Sequence, residues 1–136
     1  MQFTPYLSFN GNCEEAFKVY EQTLGGELQS MFRYEGSPMQ DHVPAEWRQK
    51  VMHTALKAGD GVLMGADAPP PYFTQPGGFS VSIIFKEPTE AESKFEALGK
   101  GGKIMMPIQQ TFWARRFGML VDRFGIPWMI NCEKAA

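Results

Sequence analysis

The stretch Thr111–Asn131, TFWARRFGMLVDRFGIPWMIN, contains two apolar runs that are separated by a short turn. The first run ends at Asp122, a Phe124-Gly125 turn follows, and the second run carries Trp128. Glycine tolerates the positive φ that tight hairpin turns require. The pattern therefore predicts a β-hairpin between two runs of strand-forming side chains.

A weaker copy of this hairpin lies 64 positions earlier, in Val51–Asp67. Its turn is Gly59-Asp60-Gly61, and the offset makes Gly61 the predicted counterpart of Gly125. The chain thus reads as two related halves.

The start of each half supports this duplication. Phe3–Phe9 and Phe79–Phe85 both have the composition of a strand and lie at an offset of 76. A helical pattern follows each strand, with Asn12 and Thr89 as the predicted N-cap residues. Each half therefore continues from a strand into a helix.

The offset falls from 76 to 64 along the chain, so the first half carries about twelve extra residues, which fit best at 36–49. A proline-rich linker, 68–78, joins the halves. We predict an α+β fold of two βαβββ modules, about 1–67 and 79–136, that form cupped mixed sheets within a single domain. A functional site is expected in the cup that the modules share.

Composition excludes several classes of function. A chain of 136 residues with 43% hydrophobic content can bury one substantial core, or two small cores that share an interface, but not two independent large domains. A net charge of −2 with scattered basic residues argues against a nucleic-acid partner. No apolar run approaches the roughly 18 residues of a membrane span. The first residues resemble no secretory leader, so we expect a cytoplasmic protein.

Alternation along the strands predicts which side chains face the cup in the first half. It directs His53 into the cup, together with Tyr6, Arg33 and Asp67. His53 is either a general base, a hydrogen-bond donor, or a histidine held by polar neighbours. Arg33 is either a bidentate partner for an anionic ligand group or a solvated strand arginine.

The same rule applied to the second half places Ser80, Met129 and Asn131 in the cup, because Trp128 suits the core. Trp113 is either an aromatic wall for a flat ligand or a residue that closes the core. These residues complete the predicted ligand-binding set.

The chain shares its doubled plan and several short segments with a known group of proteins. The segments are PYLSFNGN (5–12), CEEAF (13–17), LGG (24–26), MH (52–53), LM (63–64), FW (112–113), FG (117–118) and DRFGIPWMIN (122–131). They resemble the PhnB-like branch of the vicinal oxygen chelate superfamily, also called the glyoxalase/bleomycin-resistance/dioxygenase superfamily. The resemblance covers nearly the whole chain and implies paired βαβββ modules and a homodimer.

Metal-dependent members of this superfamily hold a divalent cation with His, Glu or Gln on the first, fourth, fifth and eighth strands. In this chain those positions fall among Thr4–Tyr6, near Asp67, at Ser80 and at Met129. Only Asp67 is a good hard-metal ligand, and adding His53 does not complete a site. We therefore predict neither a metal nor another cofactor.

Three functions follow from the resemblance. The first is metal-independent binding of a small, partly aromatic molecule, the second a lyase or isomerase that uses His53 as acid or base, and the third a metal-dependent glyoxalase or dioxygenase. Related sequences are often labelled 3-demethylubiquinone 3-methyltransferases, but no glycine-rich turn of a parallel sheet, which a methyl donor would need, is present here. The partners we expect are a small-molecule ligand and a second copy of the chain.

Overall fold

A computed structural model describes residues 1–134 of the chain. The chain divides into two compact units, Met1–Gln75 and a second that begins at Pro76, so the boundary lies inside the predicted linker. Each unit contains a four-stranded mixed sheet and one α-helix, which confirms the predicted α+β plan of paired βαβββ modules. Within residues 1–134, no helix is long and apolar enough to cross a membrane.

The first unit has its strands in the spatial order β1-β4-β3-β2. β1 runs parallel to β4, and the other neighbouring pairs are antiparallel. The predicted insertion lies between β2 and β3 and contains two short 3₁₀ turns. The elements are β1 (Tyr6–Phe9), α1 (Cys13–Leu24), β2 (Glu27–Arg33), β3 (Val51–Ala58) and β4 (Gly61–Asp67).

The second unit repeats this topology, with the order β5-β8-β7-β6 and a parallel pair formed by its first and last strands. Its strand β6 passes to β7 through a short connection without the insertion. The elements are β5 (Val81–Phe85), α2 (Pro88–Gly99), β6 (Lys103–Gln109), β7 (Ala114–Val121) and β8 (Pro127–Glu133).

One glycine in each sheet lies directly beneath the helix. A Cβ on Gly65 would lie 2.7 Å from the ring of Phe17, and one on Gly118 would lie 2.6 Å from the ring of Phe95. Side chains alternate along a strand, so the residues on either side of each glycine point away from the helix. We call that side the open face of the sheet. Leu7 and Thr54 pair with Gly65, and Ile130 pairs with Gly118, so these three share the helix-bearing face.

The core of each unit lies between its helix and its sheet. In the first unit Phe9, Phe17 and Tyr20 are fully buried, and their rings meet edge to face at centroid distances of 5.9 and 5.6 Å. In the second unit Trp128 is the largest fully buried side chain. Burial of such a side chain stabilises the fold by about 1.5–3 kcal/mol.

The start of α1 is satisfied by a residue far away in the sequence. Asn12, the predicted N-cap, makes no side-chain capping bond. Instead the Asp67 carboxylate accepts hydrogen bonds from the backbone N–H groups of Gly11 and Cys13, at 3.0 and 2.9 Å. Asn12 therefore occupies the predicted N-cap position, but its side chain does not supply the capping hydrogen bond.

The second helix begins at a proline. Pro88 is its first residue, Glu87 precedes it with extended backbone, and no side-chain capping bond forms. Thr89, the predicted cap, lies inside the first turn, so that prediction is wrong. Proline suits the first helical position because its fixed φ is already helical and its missing N–H would have no partner there.

Both hairpins turn on a glycine with positive φ. These glycines are Gly59, with φ of 57°, and Gly125, with φ of 91°. Gly61 opens β4 outside the left-handed region. The counterpart of Gly125 is therefore Gly59. The offset of 64 had instead predicted Gly61.

A buried aspartate fixes the second hairpin. One carboxylate oxygen of Asp122 accepts the backbone N–H groups of Phe124 and Ile126, each at 2.9 Å. The other oxygen accepts the indole N–H of Trp128 at 2.8 Å. Asp122 thereby holds both the turn and the largest core side chain in place.

Candidate ligand-binding site

Two of the predicted site residues form a hydrogen bond on the open face of the first sheet. The phenol oxygen of Tyr6, on β1, lies 3.1 Å from Nδ1 of His53, on β3. Their ring centroids are 5.7 Å apart at an interplanar angle of 34°. The two strands are separated by β4, so the tyrosine side chain reaches across one strand to the histidine.

Phe32 adds a third ring to this pair. It lies opposite His53 on the neighbouring strand β2, and their rings stack at 6.5 Å with an interplanar angle of 26°. Its side chain is 57% exposed and that of Tyr6 is 50% exposed, so both rings present apolar surface to solvent. We call Tyr6, Phe32 and His53 the aromatic trio.

The environment of Tyr6 favours a neutral phenol. Burial, reinforced by the nearby Cys13 thiol, raises the pKa of Tyr6 above its ordinary value. A protonated phenol can donate to Nδ1 of a neutral His53 imidazole, which then carries its own proton on Nε2. Such a pair can bind an acceptor oxygen through Nε2–H or pass a proton between ligand and ring.

Arg33 does not face the same way as His53. Its guanidinium donates to both carboxylate oxygens of Glu14, on α1, at 3.2 and 3.0 Å, and to the carbonyl of Gln49 at 2.8 Å. This hydrogen bonding lowers the pKa of Glu14 and raises the pKa of Arg33. The prediction that Arg33 lies on the same face of the sheet as His53 is wrong.

A β-bulge explains the reversal. The register of β2 shifts between Leu28 and Ser30, which leaves Gln29 as an extra residue. Residues after the bulge change faces relative to simple alternation. The bulge therefore brings Phe32 to the open face and turns Arg33 toward the helix.

Asp67 is also on the helix-bearing side. Its residue is only 1% exposed. Besides the two N–H groups at the start of α1, it accepts the N–H of Val51 at 2.9 Å, and its backbone carbonyl accepts the Tyr34 hydroxyl at 2.7 Å. Its predicted orientation toward a ligand is therefore wrong, because the carboxylate is used to join α1, β3 and β4.

The second sheet shows the predicted alternation on β8. Trp128 and Ile130 are fully buried, whereas Met129 and Asn131 are half-buried and lie on the open face. The amide oxygen of Asn131 is buried without a hydrogen-bond partner. Ser80 lies just before β5 and is half-buried, and the residue that pairs with Met129 is Ser82.

Trp113 precedes β7 and is 46% exposed. Its ring meets Phe112 and Phe117 edge to face at 4.8 and 5.3 Å. Phe117 pairs with Asn131, so this aromatic group borders the open face of the second sheet. Both the wall and the core-closing interpretations of Trp113 stay open.

Sequence reasoning missed a row of methionines on this face. Met106, Met119 and Met129 lie opposite one another on the adjacent strands β6, β7 and β8. Alternation from the buried Leu120 would have indicated Met119, but a register shift in β6 hides Met106 from such a count. The row makes this open face soft and apolar.

The donors at the strand positions used by metal-dependent relatives do not fit a hard divalent cation. Asp67 already accepts three backbone N–H groups, while Ser80 and Met129 supply a hydroxyl and a thioether. Within residues 1–134, no group of three or more His, Cys, Asp or Glu residues lies close enough to hold a metal.

Cys13 does not behave as a reactive thiol. It is fully buried, and burial, together with the charges of Asp67 and Glu14, strongly raises its pKa. The thiolate, which is the nucleophilic form, is therefore scarce at neutral pH.

Comparison with known proteins agrees with this geometry. A sequence model of the Glyoxalase/Bleomycin resistance protein/Dioxygenase superfamily matches residues 2–130. The chain is 35% identical over 142 residues to Protein YjdN of Escherichia coli, with 98% of this chain and 97% of that protein covered.

Two solved structures share the fold. Protein PA1353 from Pseudomonas aeruginosa has a TM-score of 0.90 at 46% identity and 99% coverage of both chains. The putative 3-demethylubiquinone-9 3-methyltransferase, PhnB protein, from Bacillus cereus has a TM-score of 0.81 at 24% identity, with 97% of this chain and 99% of that chain covered. The superfamily and branch predicted from the sequence motifs are confirmed.

Proposed function

We propose that this chain, which belongs to the Glyoxalase/Bleomycin resistance protein/Dioxygenase superfamily, binds a small, partly aromatic molecule without a chelated metal. The aromatic trio of Tyr6, Phe32 and His53 is the observation that carries the proposal. It combines two half-exposed aromatic rings with one imidazole on the open face of the first sheet. Ligand sites commonly combine apolar walls with a few placed polar groups in this way.

In this proposal Tyr6 and Phe32 provide stacking surface, and Nε2 of His53 binds a polar atom of the ligand. Metal independence rests on the unsuitable donors at the superfamily's ligand positions, above all on the commitment of Asp67 to backbone N–H groups. The methyltransferase name of the Bacillus cereus protein is not transferred to this chain. A cytoplasmic location remains a prediction.

Native mass spectrometry of the protein purified from cells without added metal tests the binding function. We expect a metal-free protein that retains a substoichiometric or stoichiometric organic ligand. Replacement of His53 by alanine should reduce retention, whereas His42→Ala, at an exposed position in the insertion, should not change it. A stoichiometric divalent metal in the same spectrum would contradict metal independence.

A second candidate is a lyase or isomerase in which His53 acts as acid or base. The Tyr6–His53 hydrogen bond favours it, because a hydrogen bond at Nδ1 fixes the orientation of the imidazole, and a positioned histidine is the side chain most often used for proton transfer. Ligand retained in the native spectrum identifies the substrate class for this test. Loss of general acid–base catalysis typically costs about 10²–10⁴-fold in rate.

His53→Ala separates the two candidates. An enzyme should lose turnover by about 10²-fold or more while keeping its ligand affinity. A binding protein should lose affinity and show no turnover before or after the change. The His42→Ala variant again provides the control, since it removes the only other histidine.

We also propose that two copies of the chain associate. Several large apolar side chains are exposed, among them Phe3 at 91%, Ile84 at 62% and Phe112 at 85%. An interface between two copies would cover such side chains where they form a contiguous apolar patch. Sedimentation velocity at micromolar concentration should give a dimer mass, and a monomer there would contradict the proposal.

A further inference from the structure

A cavity of about 470 Å³ opens in the first unit beside the edge strand β2. The thioethers of Met31 and Met52 and the ring of Phe32 contribute its apolar walls. Arg33, Glu35 and Ser37 contribute polar groups. None of these residues except Arg33 belongs to the predicted ligand-binding set.

One wall of this cavity is formed at a register shift between β2 and β3. The register of the β2–β3 pair shifts so that Phe32 lies opposite His53 and Arg33 opposite Val51, which leaves Met52 as an extra residue. Bulges of this type redirect a side chain, and here Met52 lines the cavity.

The facing wall is the segment that follows β2. The N–H of Gly36 donates to the side-chain oxygen of Gln40 at 2.7 Å, and the Ser37 hydroxyl donates to the carbonyl of Tyr34 at 2.6 Å. These bonds fix the segment next to the bulge. Both walls are therefore formed by ordered local structure.

The polar groups that line the cavity differ in whether they already have partners within the protein. Arg33 is neutralised by its two hydrogen bonds to Glu14. The Ser37 hydroxyl donates to Tyr34 and also accepts the N–H of Met39 at 3.1 Å. Both groups already have protein partners.

Glu35 differs from them. Its carboxylate accepts a hydrogen bond from the neutral amide of Gln49, and no ion pair within residues 1–134 involves it. Its carboxylate thus lines the same cavity as two methionines and a phenylalanine and has no cationic partner within residues 1–134. An aromatic face and a carboxylate both attract positive charge.

We propose that this cavity binds a small organic cation, namely an amine or quaternary ammonium group attached to an apolar body. The cation contacts the Glu35 carboxylate and the Phe32 ring, and the apolar body packs against Met31 and Met52. The cavity shares Phe32 with the aromatic trio but uses neither Tyr6 nor His53, so binding of a cation can be tested apart from the function proposed above.

Methionine-methyl NMR tests the proposal directly. Protein labelled with ¹³C at its nine methionine methyl groups is titrated with benzyltrimethylammonium chloride, and with sodium chloride at equal ionic strength. Met31→Leu and Met52→Leu variants assign the two reporter signals. We expect both signals to shift saturably with the cation, and to respond at least fivefold more weakly to benzyl alcohol and to benzoate.

Charge removal supplies the second arm of the test. Glu35→Gln should weaken binding of benzyltrimethylammonium about fivefold, the upper range for an exposed charge pair. Glu46→Gln removes the same charge from an exposed position of the insertion outside the lining and should leave affinity unchanged. Equal affinity for benzyl alcohol, equal effects of the two variants, or shifts confined to other methionines would each overturn the proposal.

Discussion

The two sheets share a strand order and a helix-packing arrangement, yet their open faces carry different chemistry. The first presents a hydrogen-bonded Tyr6–His53 pair beside Phe32, and the second presents a row of three methionines and the amide of Asn131. On the helix-bearing faces the units are much more alike, with a glycine beneath an aromatic ring in each. The comparison indicates that packing fixes one face of each sheet and leaves the other available for function.

The largest expected effects test whether the buried aspartates are equivalent. Asp67→Ala leaves three backbone N–H groups without their acceptor, and Asp122→Ala leaves two backbone N–H groups and the Trp128 indole. Because each unpaired buried donor costs about 1–3 kcal/mol, we expect each variant to lose about 3 kcal/mol or more of unfolding free energy. Urea unfolding measures the loss.

The matched control is Asp60→Ala, at an exposed position of the first hairpin, which should change stability by less than about 0.5 kcal/mol. If Asp67→Ala behaved like this control, the carboxylate would not be the junction of α1, β3 and β4.

Adding a methyl group beneath each helix should have a smaller effect. Gly65→Ala and Gly118→Ala place Cβ 2.7 and 2.6 Å from an aromatic ring, with backbone 2.9 and 3.0 Å away. We expect each to cost about 1–3 kcal/mol, the usual range for overpacking a core. Thermal and urea unfolding should agree on the order of the variants.

Gly61→Ala is the control for this pair, since the nearest atom to its Cβ is the Ala58 oxygen at 3.5 Å. If Gly65→Ala left the free energy of unfolding unchanged while Gly118→Ala lowered it, the first helix–sheet interface would accommodate an added methyl group and the second would not.

The smallest effect concerns the helix-to-strand ion pairs, Arg33–Glu14 and Arg116–Glu92. Glu14→Gln should cost about 0.5 kcal/mol, since its side chain is 36% exposed and such pairs are screened by solvent. Arg33 lowers the folded-state pKa of Glu14. The stabilisation that the Glu14–Arg33 pair gives the folded state is therefore complete above the ordinary glutamate pKa of about 4.3. It is lost as pH falls through the lowered folded-state pKa of Glu14.

Urea unfolding of the wild type and of Glu14→Gln between pH 7 and pH 3 tests whether this stabilisation decreases as pH falls. The wild-type advantage over Glu14→Gln should shrink toward zero at the acidic end and in 1 M salt. An advantage that grew at low pH would contradict the pairing.

The order of strands and helices could be predicted because short sequence patterns recur in the two halves of the chain. The strand and helix segments that recur at offsets of 76 and then 64, the apolar alternation on β8 and the hairpin glycines are each recognised from a few consecutive residues. The predictions failed where one residue changes the phase of a strand. The extra residue Gln29 moved Arg33 to the helix-bearing face, and a second register shift leaves Met52 without a partner on β2.

The site was predicted only in part for a related reason. Tyr6 and His53 were both identified, but their hydrogen bond depends on the order β1-β4-β3, which alternation does not contain. Asp67 was placed in the cup by alternation along the strand, which takes no account of contacts distant in sequence. Two of the N–H groups that its carboxylate accepts are 54 and 56 positions away along the chain, at the start of α1. No local sequence pattern predicts these hydrogen bonds.

That long separation also constrains the order of folding. Gly11 and Cys13 are synthesised long before Asp67, and α1 makes no side-chain capping bond of its own at Asn12. During translation the helix start therefore stays without this acceptor until β4 has emerged and paired with β1. We infer that α1 frays in the nascent chain and becomes fully formed only in the step that closes the first sheet.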